Sequence, residues 1–185
     1  MLGKIAHWAR KQPDVPALFF PGQVLTFRQL HARIGLLIRH FCGQGVRRAG
    51  IAAVFGDTLL DDWLLIAALR GMGLDPICPK SPAQLKEMSL LRLSAIVMGG
   101  ETARSVPVPH EYCATPRIVV PRALLAAGSA ADDPGDLPAS GPEGGHMLVT
   151  TGTTGSPKAV LYPGRQEEQR NEFRAGSFGF TRDTV

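Results

Sequence analysis

Between residues 147 and 161 two short apolar runs, Met147-Leu148-Val149 and Ala159-Val160-Leu161, flank a small, polar, glycine-spaced stretch: Thr150-Thr151-Gly152-Thr153-Thr154-Gly155-Ser156-Pro157-Lys158. The pattern predicts strand, loop, strand. Gly152 and Gly155 can take positive φ and carry no Cβ, so the backbone N–H groups between them can turn inward as an anion-binding nest. The hydroxyls of Thr150, Thr151, Thr153, Thr154 and Ser156 add donors that reorient freely, and Lys158 adds a fixed positive charge whose direction Pro157 restricts. A hydrogen bond to a charged group contributes about 1.5–3 kcal/mol net, so three or four of them would hold a polyphosphate. The same residues also suit a hairpin connection that binds nothing. The spacing departs from a Walker A loop: only two residues separate the glycines, and Ser-Pro precedes the lysine.

The rest of the chain must supply a frame for this loop. A length of 185 residues predicts one domain, or one and a part. With 44% hydrophobic and 19% charged residues the composition is that of a globular chain and not of a disordered one. The net charge of +4 comes from scattered basic residues without aromatic interleaving, which argues against nucleic-acid binding. Cys42, Cys78 and Cys113 are odd in number and lack a C-x-x-C pattern, so they read as reduced thiols. His7, His31, His40, His110 and His146 show no ligand spacing, and no metal site is expected from them. Residues 1–11 carry Lys4, His7, Arg10 and Lys11 and are not a signal peptide, while 59–69 contains Asp61 and Asp62 and is not a membrane span. The chain reads as cytoplasmic.

Taken in order, Leu2, Ile5, Ala6 and Ala9 recur at helical spacing before Pro13 and Pro16. Pro21-Gly22 separates two apolar runs and predicts a hairpin. Thr26 and Gln29 form a capping box with Leu25 and Leu30 placed as a hydrophobic staple, so a helix starts there. Leu30, Ile34, Leu37, Ile38 and Phe41 line its face, and Gly43 and Gly45 stop it. Residues 51–55 form a continuous apolar run suited to a buried parallel strand. Asp57 or Thr58 then caps a helix with Trp63, Leu64, Ala67 and Leu69, which Gly71 and Gly73 end. Ile77-Cys78 predicts the next strand, Ser81-Pro82-Ala83-Gln84 a further helix opened by a capping box with Pro at its first position, and 95–98 another strand. Alternating strands and helices predict a parallel sheet with right-handed crossovers. Beyond Gly99-Gly100 prolines interrupt the pattern, and only 118–120 reads as a strand. Residues 128–145 are acidic and rich in Gly, Pro and Ser, with no basic residue, and read as an exposed, flexible connector. Past the loop, 166–173 is charged and helical in pattern.

Thr151-Gly152-Thr153-Thr154-Gly155-Ser156-Pro157-Lys158 resembles the [ST]-G-T-T-G-x-P-K signature of the adenylate-forming superfamily, which includes acyl-CoA synthetases, aryl-CoA ligases and peptide-synthetase adenylation domains. Ala159 stands where that family usually carries glycine, and Tyr162-Pro163 where a Thr-His pair is common. Leu25-Thr26-Phe27-Arg28-Gln29-Leu30 resembles the family's L-[TS]-Y-x-E-L motif, and residues 69–79 resemble L-x-A-G-x-x-x-x-P-L, with Gly71 and Gly73 near its glycine. Both of these motifs are explained by capping and packing alone.

The resemblance implies the N-terminal α/β subdomain of the adenylate-forming fold, with its parallel sheet incomplete in this chain. It implies an α/β subdomain over 1–127, the connector over 128–145, and over 146–185 the phosphate loop with the start of a further subdomain. It implies a ligase that joins a carboxylic acid to the α-phosphate of Mg·ATP and then transfers the acyl group to a thiol of CoA or of carrier-protein phosphopantetheine. Thr150, Thr151, Gly152, Thr153, Thr154, Gly155, Ser156 and Lys158 would bind the nucleotide, with Lys158 stabilising phosphate charge. The family's Y-G-x-T-E and T-G-D motifs do not occur in the sequence, so ligands for Mg2+ are expected outside this chain. The expectation is therefore either the N-terminal portion of such a ligase or a truncated, non-catalytic relative that binds nucleotide, phosphate or a partner.

Overall fold

A computed structural model describes residues 1–88, 92–101, 107–126, 141–151 and 157–178. The chain opens with helix α1 (Leu2–Lys11), hairpin strands β1 (Pro16–Phe20) and β2 (Gln23–Thr26), and helix α2 (Phe27–Gly43). It continues with β3 (Ile51–Phe55), α3 (Leu59–Gly71), β4 (Asp75–Ile77), α4 (Pro82–Glu87), β5 (Leu93–Gly99), β6 (Arg117–Val120) and α5 (Arg122–Ala126). After the segment leading to residue 141 come β7 (His146–Thr151), β8 (Pro157–Tyr162) and α6 (Gly164–Ser177).

Local chemistry sets the boundaries of helices α2 and α3. The Thr26 hydroxyl accepts from Gln29 N–H while the Gln29 side chain accepts from Thr26 N–H, so both halves of the capping box are made. At the other end of α2, Gly45 N–H donates to Cys42 and Val46 N–H to Phe41, with Gly45 at φ 71°. Helix α3 ends in the same way, with Gly73 at φ 86° donating to Arg70 and Leu74 donating to Leu69. Both are Schellman closures, in which the left-handed residue is a glycine because a Cβ would be strained there. Thr58, not Asp57, caps α3 through Asp61 N–H. Ser81 caps α4, but the Gln84 side chain accepts from Lys80 N–H, one residue before the N-cap, so the expected capping box is only half made.

The main sheet has the order β6-β5-β3-β4-β7-β8 among the described residues, with β8 antiparallel and the other five strands parallel. Period-2 alternation along β3 divides its residues between two cores. Ala52 and Val54 join Ile34, Leu37, Ile38, Phe41, Leu64 and Leu65 under α2 and α3. Ala53 and Phe55 join Ile77, Leu85, Met88, Ile96, Met98 and Tyr112 on the opposite face. Both faces of β3 are covered, which is why its sequence reads as a continuous apolar run. The hairpin β1–β2 forms a separate two-stranded sheet against the start of α2, turning at Gly22 with φ 82°.

Of the connector expected over 128–145, residues 128–140 lie outside the described residues. At its end the structure departs from the expectation of exposure: Gly144 and Gly145 are buried. Polar contacts cause this, because Gly144 N–H donates to the Arg70 carbonyl at 2.8 Å and Gly145 N–H to Asp75 Oδ1 at 2.6 Å. Residues 179–185, at the end of the stretch expected to begin a further subdomain, also lie outside the described residues.

Candidate phosphate-binding site

Strand β7 runs parallel to β4, so its carboxyl end at Thr151 falls on the sheet edge where Phe55, Ile77 and Gly99 end their strands. Ligands of open α/β sheets bind off this edge. Strand β8 returns antiparallel through six residue pairs, from His146 opposite Tyr162 to Thr151 opposite Pro157. Opposed residues share a face, and Thr150 opposes Lys158. Both are exposed, and the Thr150 hydroxyl donates to the Lys158 carbonyl at 3.3 Å. Of the expected site residues, the structure therefore brings Thr150, the Thr151 backbone and Lys158 together at the mouth of the hairpin. Gly152, Thr153, Thr154, Gly155 and Ser156 lie outside the described residues.

The hairpin stands on the sheet by one apolar face. Met147 is buried in the second core, and Val149 and Ala159, opposite one another, pack against it. The Ala159 methyl therefore fills space at the position where the related signature carries glycine. On the other face Leu148 and Val160 are exposed, at 42% and 44%.

Motif reading missed the residues that hold the foot of the hairpin. Arg70, only 3% exposed, donates from Nε to the Gly144 carbonyl at 3.1 Å, and its Nη2 lies 2.7 Å from Glu167 Oε2 in α6. That last contact is an ion pair whose geometry falls outside a hydrogen bond, since Glu167 Oε2 has no aligned donor. Glu143 accepts from the Leu2 N–H at 2.6 Å and from the Met1 amine at 2.9 Å. Burial holds the His146 imidazole below its ordinary range; the Glu167 charge opposes this and the Arg70 charge adds to it. Two signals in the sequence mark this cluster: an arginine ending the apolar run Leu64-Leu65-Ile66-Ala67-Ala68-Leu69, and the doublet Gly144-Gly145 directly before a strand.

At the carboxyl ends of β3 and β4, Asp62 accepts from Gly56 N–H at 2.7 Å, and the Cys78 thiol lies 3.6 Å from the Val54 carbonyl. Burial, with the Asp62 charge beside it, pushes the Cys78 thiol up to about 12. Burial likewise raises the Asp62 carboxyl, opposed by the Gly56 hydrogen bond. Among the described residues, no three His, Cys, Asp or Glu side chains gather as a metal would require. No helix among them is long and apolar enough to cross a membrane.

A mainly parallel sheet with the β7–β8 hairpin beside β4 makes this a mixed α/β fold. No protein-family model matches the chain. Phosphinothricin tripeptide synthetase PhsC of Streptomyces viridochromogenes is 31% identical over 169 residues, 88% of this chain and 15% of that protein. The medium/long-chain-fatty-acid–[acyl-carrier-protein] ligase FadD10 of Mycobacterium tuberculosis is 28% identical over 179 residues, 89% of this chain and 33% of that protein. The N-terminal subdomain of NpsA from Klebsiella oxytoca, solved in complex with 3-hydroxybenzoyl-AMSN, superposes with a TM-score of 0.68 at 19% identity, covering 89% of this chain and 41% of that one. The chain thus spans a third or less of these two curated relatives. The chain is similar in sequence to part of a peptide synthetase and of a fatty-acid ligase, and in fold to the N-terminal subdomain of an adenylate-forming enzyme.

Proposed function

We propose that this chain provides the polyphosphate-binding N-terminal part of a ligase that activates a carboxylic acid with Mg·ATP and passes the acyl group to a thiol. The observation that carries this reading is the pairing of Thr150 with Lys158 on an exposed face at the carboxyl edge of the parallel sheet. A cation and a hydroxyl are held there at the two ends of a glycine-spaced loop.

In the reaction a carboxylate oxygen attacks the α-phosphorus, the bond to the β-phosphate bridge breaks, and pyrophosphate leaves with the negative charge. Lys158, the hydroxyls of Thr150, Thr151, Thr153, Thr154 and Ser156, and the N–H groups around Gly152 and Gly155 would take up that charge as it develops. The exposed Lys158 ammonium fits a phosphate, and the Thr150 hydroxyl would join it by turning from the Lys158 carbonyl, whereas ligands for the accompanying magnesium are assigned to no residue of this chain. The resemblance of the chain to a carrier-protein ligase and a peptide synthetase supports a carrier-protein phosphopantetheine, or CoA, as acceptor. The division into 1–127, 128–145 and 146–185 and a cytoplasmic setting belong to the same proposal.

The test is acid-dependent exchange of labelled pyrophosphate into ATP, using a panel of fatty, aryl and amino acids and comparing the protein with its Lys158→Ala variant. Exchange that is lost in the variant supports activation. Mg·ATP binding at the hairpin without exchange for any acid fits both a ligase part without the Y-G-x-T-E and T-G-D motifs and the second reading, a phosphate-binding module without turnover. No binding at all overturns both.

A further inference from the structure

We propose that Arg70 is a positioning residue for the phosphate-loop hairpin, bracing the foot of both strands so that their far ends, Thr150 and Lys158, are held over the carboxyl edge of the sheet. This rests on the phosphate-binding reading of the hairpin given above.

The hairpin is internally well knit, with six pairs between β7 and β8, but it is thinly joined to the sheet. Its ladder to β4 consists of the single pair Ile77 opposite Met147, whereas β4 pairs with β3 through all three of its residues. Beside that rung, Met147, Val149 and Ala159 seat the middle of the arm on the second core. Its foot is held by the Arg70 cluster, at the end of β7 opposite the loop. Arg70 acts there through both backbone and side chain: its carbonyl accepts from Gly144 N–H, its Nε donates to the Gly144 carbonyl, and its Nη2 pairs with Glu167. Gly144 leads into β7 and Glu167 follows β8, so one buried guanidinium grips the chain before and after the hairpin.

The glycines at this junction have the size the grip requires. A Cβ on Gly144 would collide with the Leu74 carbonyl, one on Gly145 with the Tyr162 carbonyl, and one on Gly164 with the Gly144 carbonyl. Three backbone segments therefore meet without side chains between them, and Asp75 closes the junction by accepting from Gly145 N–H. Over six residues at about 3.3 Å each, a tilt at the foot becomes a displacement of several ångströms at the loop.

The experiment compares the protein with Arg70→Gln, Arg70→Lys and Glu167→Gln, reading segment-resolved amide hydrogen exchange and Mg·ATP affinity. Arg70→Gln should speed exchange at least tenfold in 146–151 and 157–162 while leaving 51–55 and 27–43 unchanged, and should weaken Mg·ATP binding about tenfold. Arg70→Lys, which restores a cation for Glu167 but not the full grip on Gly144, should recover part of the affinity. If Arg70→Gln does not fold, Glu167→Gln at the outer side of the pair should give a smaller but equally local increase in exchange. Exchange that rises equally across the whole sheet, or not at all, overturns the proposal, as does full affinity in a variant whose hairpin is loosened. If the unmodified protein binds no Mg·ATP, the functional reading fails while the exchange arm still decides whether Arg70 braces the hairpin.

Discussion

Thr150 stands opposite Lys158 in the ladder of the β7–β8 hairpin, its hydroxyl 3.3 Å from the lysine carbonyl. The pairing fixes the backbone at both ends of the loop while leaving the lysine ammonium in solvent. Removing that ammonium should therefore change binding and leave folding alone. Lys158→Ala is expected to shift unfolding free energy by no more than about 0.5 kcal/mol, the usual range for an exposed site. It should weaken Mg·ATP binding by about 1–4 kcal/mol, the scale of one charge pair near a protein surface. Chemical denaturation and calorimetric titration of the same sample separate the two effects.

Ala159 answers differently, because its methyl packs against the second core and its backbone lies within a strand. Ala159→Gly restores the residue usual in the related signature, yet it should destabilise this protein by about 0.5–1 kcal/mol through backbone entropy and the lost contact. The midpoint of urea unfolding should fall, with Mg·ATP affinity little changed.

Gly144→Ala tests the close approach at the hairpin foot. The added Cβ meets a backbone carbonyl that cannot swing away, and overpacking of this kind costs about 1–3 kcal/mol. The same substitution at Gly43, where a Cβ has nothing within 4 Å, should be neutral or slightly stabilising. Thermal melts of the two variants should therefore move in different directions or by clearly different amounts.

The cysteines separate by pH. Cys78 is half-buried and its thiol is pushed up to about 12, whereas Cys42 and Cys113 are exposed. At pH 8 iodoacetamide should label Cys42 and Cys113 well before Cys78, as read by peptide mass spectrometry, because the thiolate is the reactive form. The folded state keeps the Cys78 proton where the unfolded chain releases it. Stability from this group is thus constant below the ordinary thiol value of 9.0 and is lost as pH rises from there toward about 12.

What the sequence disclosed was local. The Thr26–Gln29 capping box, the glycine closures of α2 and α3, and the alternation of strand and helix each depend on residues a few positions apart, and the structure contains all of them. The strand-loop-strand reading of the signature was legible for the same reason, and its strands form the expected hairpin. The foot of that hairpin was not legible. Arg70 meets Gly144 across 74 positions, and Glu143 meets Leu2 across 141, and no periodicity or capping rule reaches that far. Composition misled at Gly144 and Gly145, which look like linker residues but are buried because their backbones, not their side chains, make the contacts. Gln84 shows the limit even of a local rule, since the spacing of a capping box was present but the amide bonded one residue further back.

The central claim, that this hairpin binds polyphosphate, is tested most directly by titrating the isotope-labelled protein with Mg·ATP and following backbone amide resonances. The predicted result is saturable shifts concentrated at residues 150–159, abolished or strongly weakened by Lys158→Ala, with the amides of 51–55 unmoved. Saturable shifts centred elsewhere in the chain, or none at millimolar nucleotide, would contradict it.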